Sequence, residues 1–366
     1  MTSSVNCYDE FSKLSKVIIG RVDNACTPQD EPCYRVKSGG KSQIHGYSGP
    51  KNISTIHQAN KQLDNLVKIL KNEDVEVLRP EKTDFKKPIR HVNFEISNQN
   101  VNSCPRDIFS ILGSTILQAP VSWRSRSMEF LSYKNLFKDL YLKDRQVKLY
   151  TAPVPSYKDS MYVLDYPIKH DSVEREKLID QQKFCITEEE ALFDAADLYQ
   201  VGDTVLYHHH YWSNNTGFEY LQRHFPEFKF HKIEFTNQHI PSHVDTIINI
   251  PRPGVLIKNP VMELDEQTKK LFEENNEWEI FNAPSPETFI LPQGSTCTPY
   301  ININMLSLDE DTILVEETEI SMHKFLENEI GLNVIKVPFR DFYSSGGSLH
   351  CCSLDICRKE GKKNYF

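Results

Sequence analysis

Residues 198–235 read LYQVGDTVLYHHHYWSNNTGFEYLQRHFPEFKFHKIEF, and the order of patterns within them decides the fold. An apolar run over 198–207 gives way to a segment of helical period, 216–224. A second run, 228–235, follows, where aromatic and polar residues alternate at period two. A strand–helix–strand unit of this size cannot bury its own apolar face, so it has to stack on neighbours.

The neighbours are present, because the same succession occurs five times along the chain. The first copy comprises 17–20, the helical stretch 58–71 and 75–80. In the second, 108–112 and 115–120 form a hairpin across Gly113, followed by helical 129–142 and a strand at 146–153. The fourth runs over 245–257, helical 265–275 and 278–283. The last begins at Ile301, turns at 309–311, continues through 312–315 and a helix over 320–328, and closes on 333–338. Asp265 and Gly331 punctuate two of these helices as start and stop signals.

Five β/α units placed radially predict a propeller-like ring around a central channel. A doubly wound parallel sheet would instead need a glycine-rich phosphate loop after the first strand, yet Gly20 is followed by Arg21 and Val22 and no GxGxxG or P-loop occurs. The Gly/Ser/Lys-rich stretch 38–51 lies inside the first unit and reads as a loop, so residues 1–366 are expected to form a single domain.

Composition narrows the classes of function. The chain has 366 residues, 39% hydrophobic and 25% charged, as a globular protein has. Its apolar runs, such as 108–112 and 313–315, fall far short of the ~20 residues that cross a bilayer. With 42 basic against 51 acidic residues, a net charge of −9, and basic pairs only at Lys86/Lys87 and Lys362/Lys363, there is no stripe to neutralise a nucleic-acid backbone. No membrane and no nucleic acid are expected as partners. Residues 1–8 lack the basic and apolar regions of a signal peptide and the arginines of a transit peptide, so the expected location is cytoplasmic. Nine cysteines, an odd number without a CxxC pair, read as thiols rather than as a disulfide framework or zinc knuckle.

Polar residues at the junctions between units are the candidates for chemistry. Cys104, Pro105, Arg106 and Asp107 enter the second unit, Phe193 to Asp197 (FDAAD) the third, His243 to Asp245 (HVD) the fourth, and Ser344 to Cys351 (SSGGSLHC) follows the fifth. A cysteine, a histidine and several carboxylates are the parts needed for covalent chemistry at a cationic carbon. A thiolate is nucleophilic only where a positive charge lowers its pKa, and a bound guanidinium supplies one. Carboxylates recognise the forked, permanently charged guanidinium through paired hydrogen bonds. An extended His-x-Asp puts His243 and Asp245 on one side, and Gly346 and Gly347 let the backbone bring Cys351 near a ligand. Singly, each residue has a plainer reading: Asp107 and Asp194 as caps, His243 as a capping or surface residue, Cys351 as a buried hydrophobe.

Seven ordered motifs carry a resemblance across nearly the whole chain: YDEFSKLSKVIIGRVDN (8–24), PRD (105–107), APVSWRSR (119–126), DYPI (165–168), FDAAD (193–197), HVD (243–245) and GGSLHC (346–351). By these the chain resembles the L-arginine:glycine amidinotransferase family, part of a guanidine-modifying superfamily that includes arginine deiminases. The resemblance implies a five-bladed α/β propeller of pseudo-fivefold ββαβ-type units around a central active-site channel. It also implies a homodimer and ping-pong transfer without metal or organic cofactor. Carried over, Cys351 matches the nucleophile, His243 the general acid/base, Asp194 its partner carboxylate, and Asp107 and Asp245 the guanidinium-binding carboxylates, with Arg106 among the substrate-binding residues. Together with Asp197, these acids are expected to line a channel that concentrates cationic guanidines.

Some positions depart from the family pattern. The arginine that holds the donor's carboxylate in the family aligns with Met262, and two neighbouring serines align with Cys297 and Thr298. Ile240 and Ser242 stand where the glycine-specific enzyme has an asparagine and a methionine, which is expected to leave room for an acceptor larger than glycine. The expected function is transfer of an amidino group from arginine, or a related guanidine, to a primary amine. A guanidine-hydrolysing deiminase or dihydrolase with the same Cys/His/Asp set is the alternative, although such enzymes carry Glu-Gly-Gly-Asp where this chain has Asp194 to Asp197. A catalytically idle binding module is a lesser one. The run His208 to His210 is expected at a surface turn with alternating faces, Trp123 to Arg126 in packing and ion pairing around the channel, and Cys352 as a buried thiol.

Overall fold

The structure is a computed structural model, and it describes residues 3–39, 48–274, 277–292, 295 and 297–366. In the decisive stretch, Leu198–Val201 and Thr204–His208 pair antiparallel with Val201 opposite Thr204. The tight turn between them needs a residue at positive φ, and Gly202 adopts 70°. Thr204–His208 then pairs in parallel with Lys229–Ile233. Parallel neighbours need a crossover, and here it is the helix Asn215–His224. The side chain of Asn214 caps its first turn by accepting from the Gly217 N–H at 2.8 Å, and Leu221 is buried in the core. Gly217 is required for close approach: a Cβ there would stand 2.5 Å from the Leu192 carbonyl oxygen.

Four more three-stranded sheets among the described residues repeat this order, one antiparallel and one parallel pairing in each. They comprise Phe109–Leu112, Thr115–Gln118 and Lys148–Thr151; Ile248–Arg252, Val255–Lys258 and Glu279–Asn282; and Leu306–Asp309, Thr312–Glu316 and Asn333–Val337. The fifth joins segments far apart in sequence, with Ser353–Arg358 antiparallel to Leu14–Ile19, which runs parallel to Glu76–Leu78. The architecture is thus α/β with mixed sheets. Apolar spacing explains the helices: Ile53–Asn72 buries Ala59, Leu63, Leu66 and Leu70 on one stripe, each leucine worth about 1.5–3 kcal/mol of burial.

Where sequence and structure differ, backbone chemistry gives the reason. The stretch 245–257 is a hairpin turning at Gly254 (φ 83°) rather than one strand. The helix expected at 58–71 starts at Ile53, because Asn52 caps it through the Ser54 N–H. That expected at 129–142 opens with the 3-10 turn Glu129–Tyr133 before Lys134–Lys143. The strand Ser353–Arg358, lacking a unit of its own after Cys351, was not anticipated. Residues 40–47 of the expected loop and Asn275 of an expected helix lie outside the described residues.

One recurrent detail positions the site. A short helical turn precedes the first strand of four sheets: Pro105–Ile108, Ala195–Asp197, Val244–Thr246 and Ile301–Ile303. Each packs on the next, and Pro105–Ile108 also packs on Ser353–Arg358. Residues in equivalent places of different units are thereby brought side by side. No described helix is long and apolar enough to cross a membrane.

Candidate active site

The turns deliver Asp107, Asp194 and His243 to one partly open cavity of about 540 Å³, also lined by Arg126, Cys104, Trp123 and Trp212. Asp194 and His243 stand at N-cap positions, but neither side chain caps its turn. They bond to each other instead: His243 Nε2 lies 3.0 Å from Asp194 Oδ2. His243 Nδ1 faces Asp107 Oδ1 at 3.7 Å. Burial opposes the imidazolium, but Asp107, Asp197 and Asp194 together outweigh it and raise His243 to about 10. Burial lifts Asp194 to about 6 against the pull of His243, so near neutral pH the two form an ion pair. Asp107 is held from its other side by Arg126, whose Nη1 donates to Oδ2 at 2.6 Å while Nε and Nη2 fork onto Glu129. The expected ion pairing of the WRSR stretch is found there.

Cys351 is buried against Asp245, its Sγ 3.3 Å from Oδ2. Burial, then Asp245, Cys104 and Asp107, hold this thiol well above the ordinary cysteine range. Gly346, at φ 111°, takes a conformation that favours glycine. A Cβ on Gly347 would stand 2.7 Å from the Cys351 sulfur, so glycine there leaves the sulfur uncovered.

Asn304 organises this half of the site. Its Oδ1 accepts from the Cys351 N–H at 3.0 Å and the Ser348 N–H at 3.2 Å, while its Nδ2 donates to Asp245 Oδ2 at 2.9 Å. Asp245 Oδ2 also accepts from His350 Nδ1 at 2.8 Å, and His350 Nε2 bonds Glu10 on its other side. Burial and Arg106 disfavour protonated His350, but Glu10 and Asp245 prevail and raise it. Burial likewise opposes the Asp245 carboxylate, yet His350, His243 and Arg106 hold it below its ordinary value. Asp107, Asp194 and Asp245 each keep one buried oxygen, Oδ1, without a hydrogen-bond partner among the described residues. Three such oxygens beside an imidazolium and a thiol suit a planar, multiply donating cation.

Not every expected residue joins this set. Arg106 is corrected: it does not line the cavity, and its guanidinium is taken up by Glu10 at 3.0 Å, Asp355 at 3.2 Å and the carbonyls of His350 and Ser353. Met262 packs in the core with Phe235, Val244 and Leu264. Thr298 Oγ1 accepts from the Tyr300 N–H, and Cys297 Sγ donates to the Tyr343 carbonyl at 3.5 Å. Ser242 Oγ turns back to the Ile240 carbonyl at 3.2 Å. Asp197 lies behind the cavity, taking His210 Nε2 at 2.7 Å and the Ser213 hydroxyl. The expected surface turn at 208–210 is also corrected, since His208, His209 and His210 are buried. The faces do alternate: His208 and His210 share Asp197 and stack at 4.3 Å, whereas His209 faces Glu234. Asp197, His210 and His243 offer ligand atoms within 4.8 Å of one another, the group among the described residues with metal-like spacing. Sequence reasoning missed Asn304, His350 and Glu10; the signal for Asn304 was its position before the first strand of its unit, matching those of Asp107 and Asp245.

No family profile matches the chain. It is 34% identical to the mitochondrial glycine amidinotransferase of Gallus gallus, covering 98% of this chain and 84% of that protein. It is 31% identical to the L-arginine:L-lysine amidinotransferase of Pseudomonas savastanoi pv. phaseolicola, covering all of this chain and 97% of the relative. Among solved structures, an amidinotransferase of the saxitoxin biosynthetic pathway of Microseira wollei superposes with a TM-score of 0.87 at 29% identity, over 99% of this chain and 100% of that one. These relatives and neighbours, all amidinotransferases, set the class: an enzyme that works on guanidino groups. Within it, the chain belongs to the amidinotransferase family and is a transferase.

Proposed function

We propose that this protein moves the amidino group of arginine, or a related guanidine, to a primary amine, glycine or a larger one, through a covalent amidino-cysteine. The observation that carries this is the set of buried carboxylates, each with one unpartnered oxygen, beside Cys351 and His243. Asp107 and Asp245 grip the guanidinium. Its charge offsets the burial that keeps the thiol neutral, and Cys351 releases a proton as the cation arrives. The thiolate bonds to the amidine carbon, pushing the C=N electron pair onto nitrogen. Collapse then breaks the bond to the donor's amine, which takes a proton from His243 as it leaves. The proton from sulfur passes to solvent and the proton on the leaving amine comes from His243, so the half-reaction ends in a cationic amidino-cysteine, a neutral amine and a neutral imidazole. Neutral His243 next removes a proton from the acceptor amine, which attacks the same carbon and expels the thiolate.

The relatives act on different acceptors by their names, glycine and L-lysine, and Ser242 beside Ile240 supports an acceptor larger than glycine here. The proposal includes a single domain whose five sheets stand radially as propeller blades, supported by their common strand order and by the serial packing of the turns. Cytoplasmic location and a homodimer belong to it too, and fractionation and light scattering test them.

Incubation with arginine and no acceptor, followed by intact mass measurement, tests the chemistry. An added amidino group that is absent in Cys351→Ala, with ornithine released, is the expected result. Citrulline and ammonia without ornithine would move the assignment to the hydrolases.

A further inference from the structure

Two ammonium groups reach this otherwise acidic site without a carboxylate of their own. Lys37, in the last turn of the helix Pro32–Ser38, lines the cavity with Asp107, Asp194 and His243, and its Nζ donates to the Pro241 carbonyl. Lys51 Nζ donates to the Ser344 carbonyl at 2.6 Å, next to the cavity-lining Ser345. Neither lysine forms an ion pair among the described residues, and the remaining residues, 1–2, 40–47, 275–276, 293–294 and 296, include no Asp or Glu. Ser344 and Ser345 belong to one turn, Arg340–Ser345, so the carbonyl that holds Lys51 adjoins a residue lining the same cavity as Lys37. Burial pulls both below the ordinary lysine value, Lys51 to about 8. A carbonyl oxygen solvates an ammonium without neutralising it, so each remains a desolvated charge awaiting a counter-ion.

The site therefore brings together charges of both signs. Asp107, Asp194 and Asp245 each have an oxygen without a hydrogen-bond partner, while Lys37 and Lys51 have carbonyl partners and no carboxylate among the described residues. A small zwitterion with a guanidinium or amine at one end and a carboxylate at the other meets both. We propose that Lys37 and Lys51 form an anion subsite that takes a substrate carboxylate. This rests on the amidino-transfer reading above, under which that carboxylate belongs to the donor, as in arginine, or to an amino-acid acceptor.

Two half-reactions separate the sources. Adduct formation on the intact enzyme is timed with arginine and with agmatine, its decarboxylated counterpart. Adduct discharge is timed with glycine and with methylamine. Lys37→Met and Lys51→Met keep side-chain length and remove the charge, and thermal melting checks that each folds; loss of an uncompensated buried charge leaves the melting temperature unchanged or higher. The expected result is a preference for the carboxylate-bearing partner that falls about 10- to 100-fold in each variant. Collapse of the arginine-over-agmatine preference assigns the carboxylate to the donor, and collapse of the glycine-over-methylamine preference assigns it to the acceptor. Equal losses for both members of each pair, or unchanged preferences, overturn the subsite while leaving amidino transfer standing. Absence of any adduct in the unaltered enzyme overturns both.

Discussion

His243 Nε2 and Asp194 Oδ2 stand 3.0 Å apart as a buried ion pair, with His243 raised to about 10 and Asp194 to about 6. The acid form of His243 and the ionised form of Asp194 therefore coexist between those values. Because Cys351 gives up its proton when the donor binds, we expect donor kcat/KM to climb with pH and to turn down near pH 10, where His243 loses its own proton. In Asp194→Asn the upper limb should fall by roughly 1–3 on the pH scale. A profile whose upper limb does not move would remove Asp194 from this role. The shift also bears on stability: a histidine raised from 6.5 to about 10 contributes stability complete below pH 6.5 and lost as pH rises through 10. Urea unfolding of the unaltered protein and His243→Asn across that window reads the difference.

Cys351 is held above its ordinary value of 9.0 by burial and by Asp245. The free protein should show no thiolate ultraviolet absorbance from this residue below pH 9, judged against Cys351→Ala. An unreactive guanidinium compound should bring that absorbance to lower pH, because the cation supplies the missing charge. Thiolate already present at neutral pH without ligand would contradict this.

Asn304→Ala would strip the Cys351 and Ser348 N–H groups of their acceptor and Asp245 of a donor. Buried groups left unpaired cost about 1–3 kcal/mol each. The melting temperature should drop measurably, and kcat should fall by about 100-fold as the thiol and its carboxylate lose their common anchor.

A methyl group at position 347 would lie 2.3 Å from the Cys351 Cβ. Gly347→Ala should abolish adduct formation by mass and destabilise the fold by about 1–3 kcal/mol. Gly361→Ala, with open space around it, should change neither.

The repeat was legible because each unit carries its own periodicity, and Gly113 marks a hairpin that the structure contains, whereas the run 198–207 is broken by Gly202 into a hairpin its apolar pattern does not announce. Asp107, Asp194, His243, Asp245 and Cys351 stood out because they sit at unit junctions. Asn304 occupies such a junction too, but an amide that anchors neighbours looks like any loop asparagine until they are assembled. Arg106 misled for the opposite reason: it adjoins Asp107 in sequence, yet successive side chains in a helical turn point apart, and its direction leads to Glu10 and Asp355. Lys37 and Lys51 belong to the long insertion of the first unit, whose return to the cavity leaves no local trace.

The pairing of Ser353–Arg358 with Leu14–Ile19 sets a timetable for the chain during its synthesis. Cys351 and His350 lie in the turn that enters this strand, and Glu10, the partner of His350, comes with the amino-terminal segment. A nascent chain therefore carries the carboxylates and His243 long before it carries a positioned sulfur. Because domains fold as units during synthesis, the proposed chemistry has to wait until Ser353–Arg358 has been made and has paired with Leu14–Ile19. A chain interrupted just before Ser353 would be inert rather than half-active.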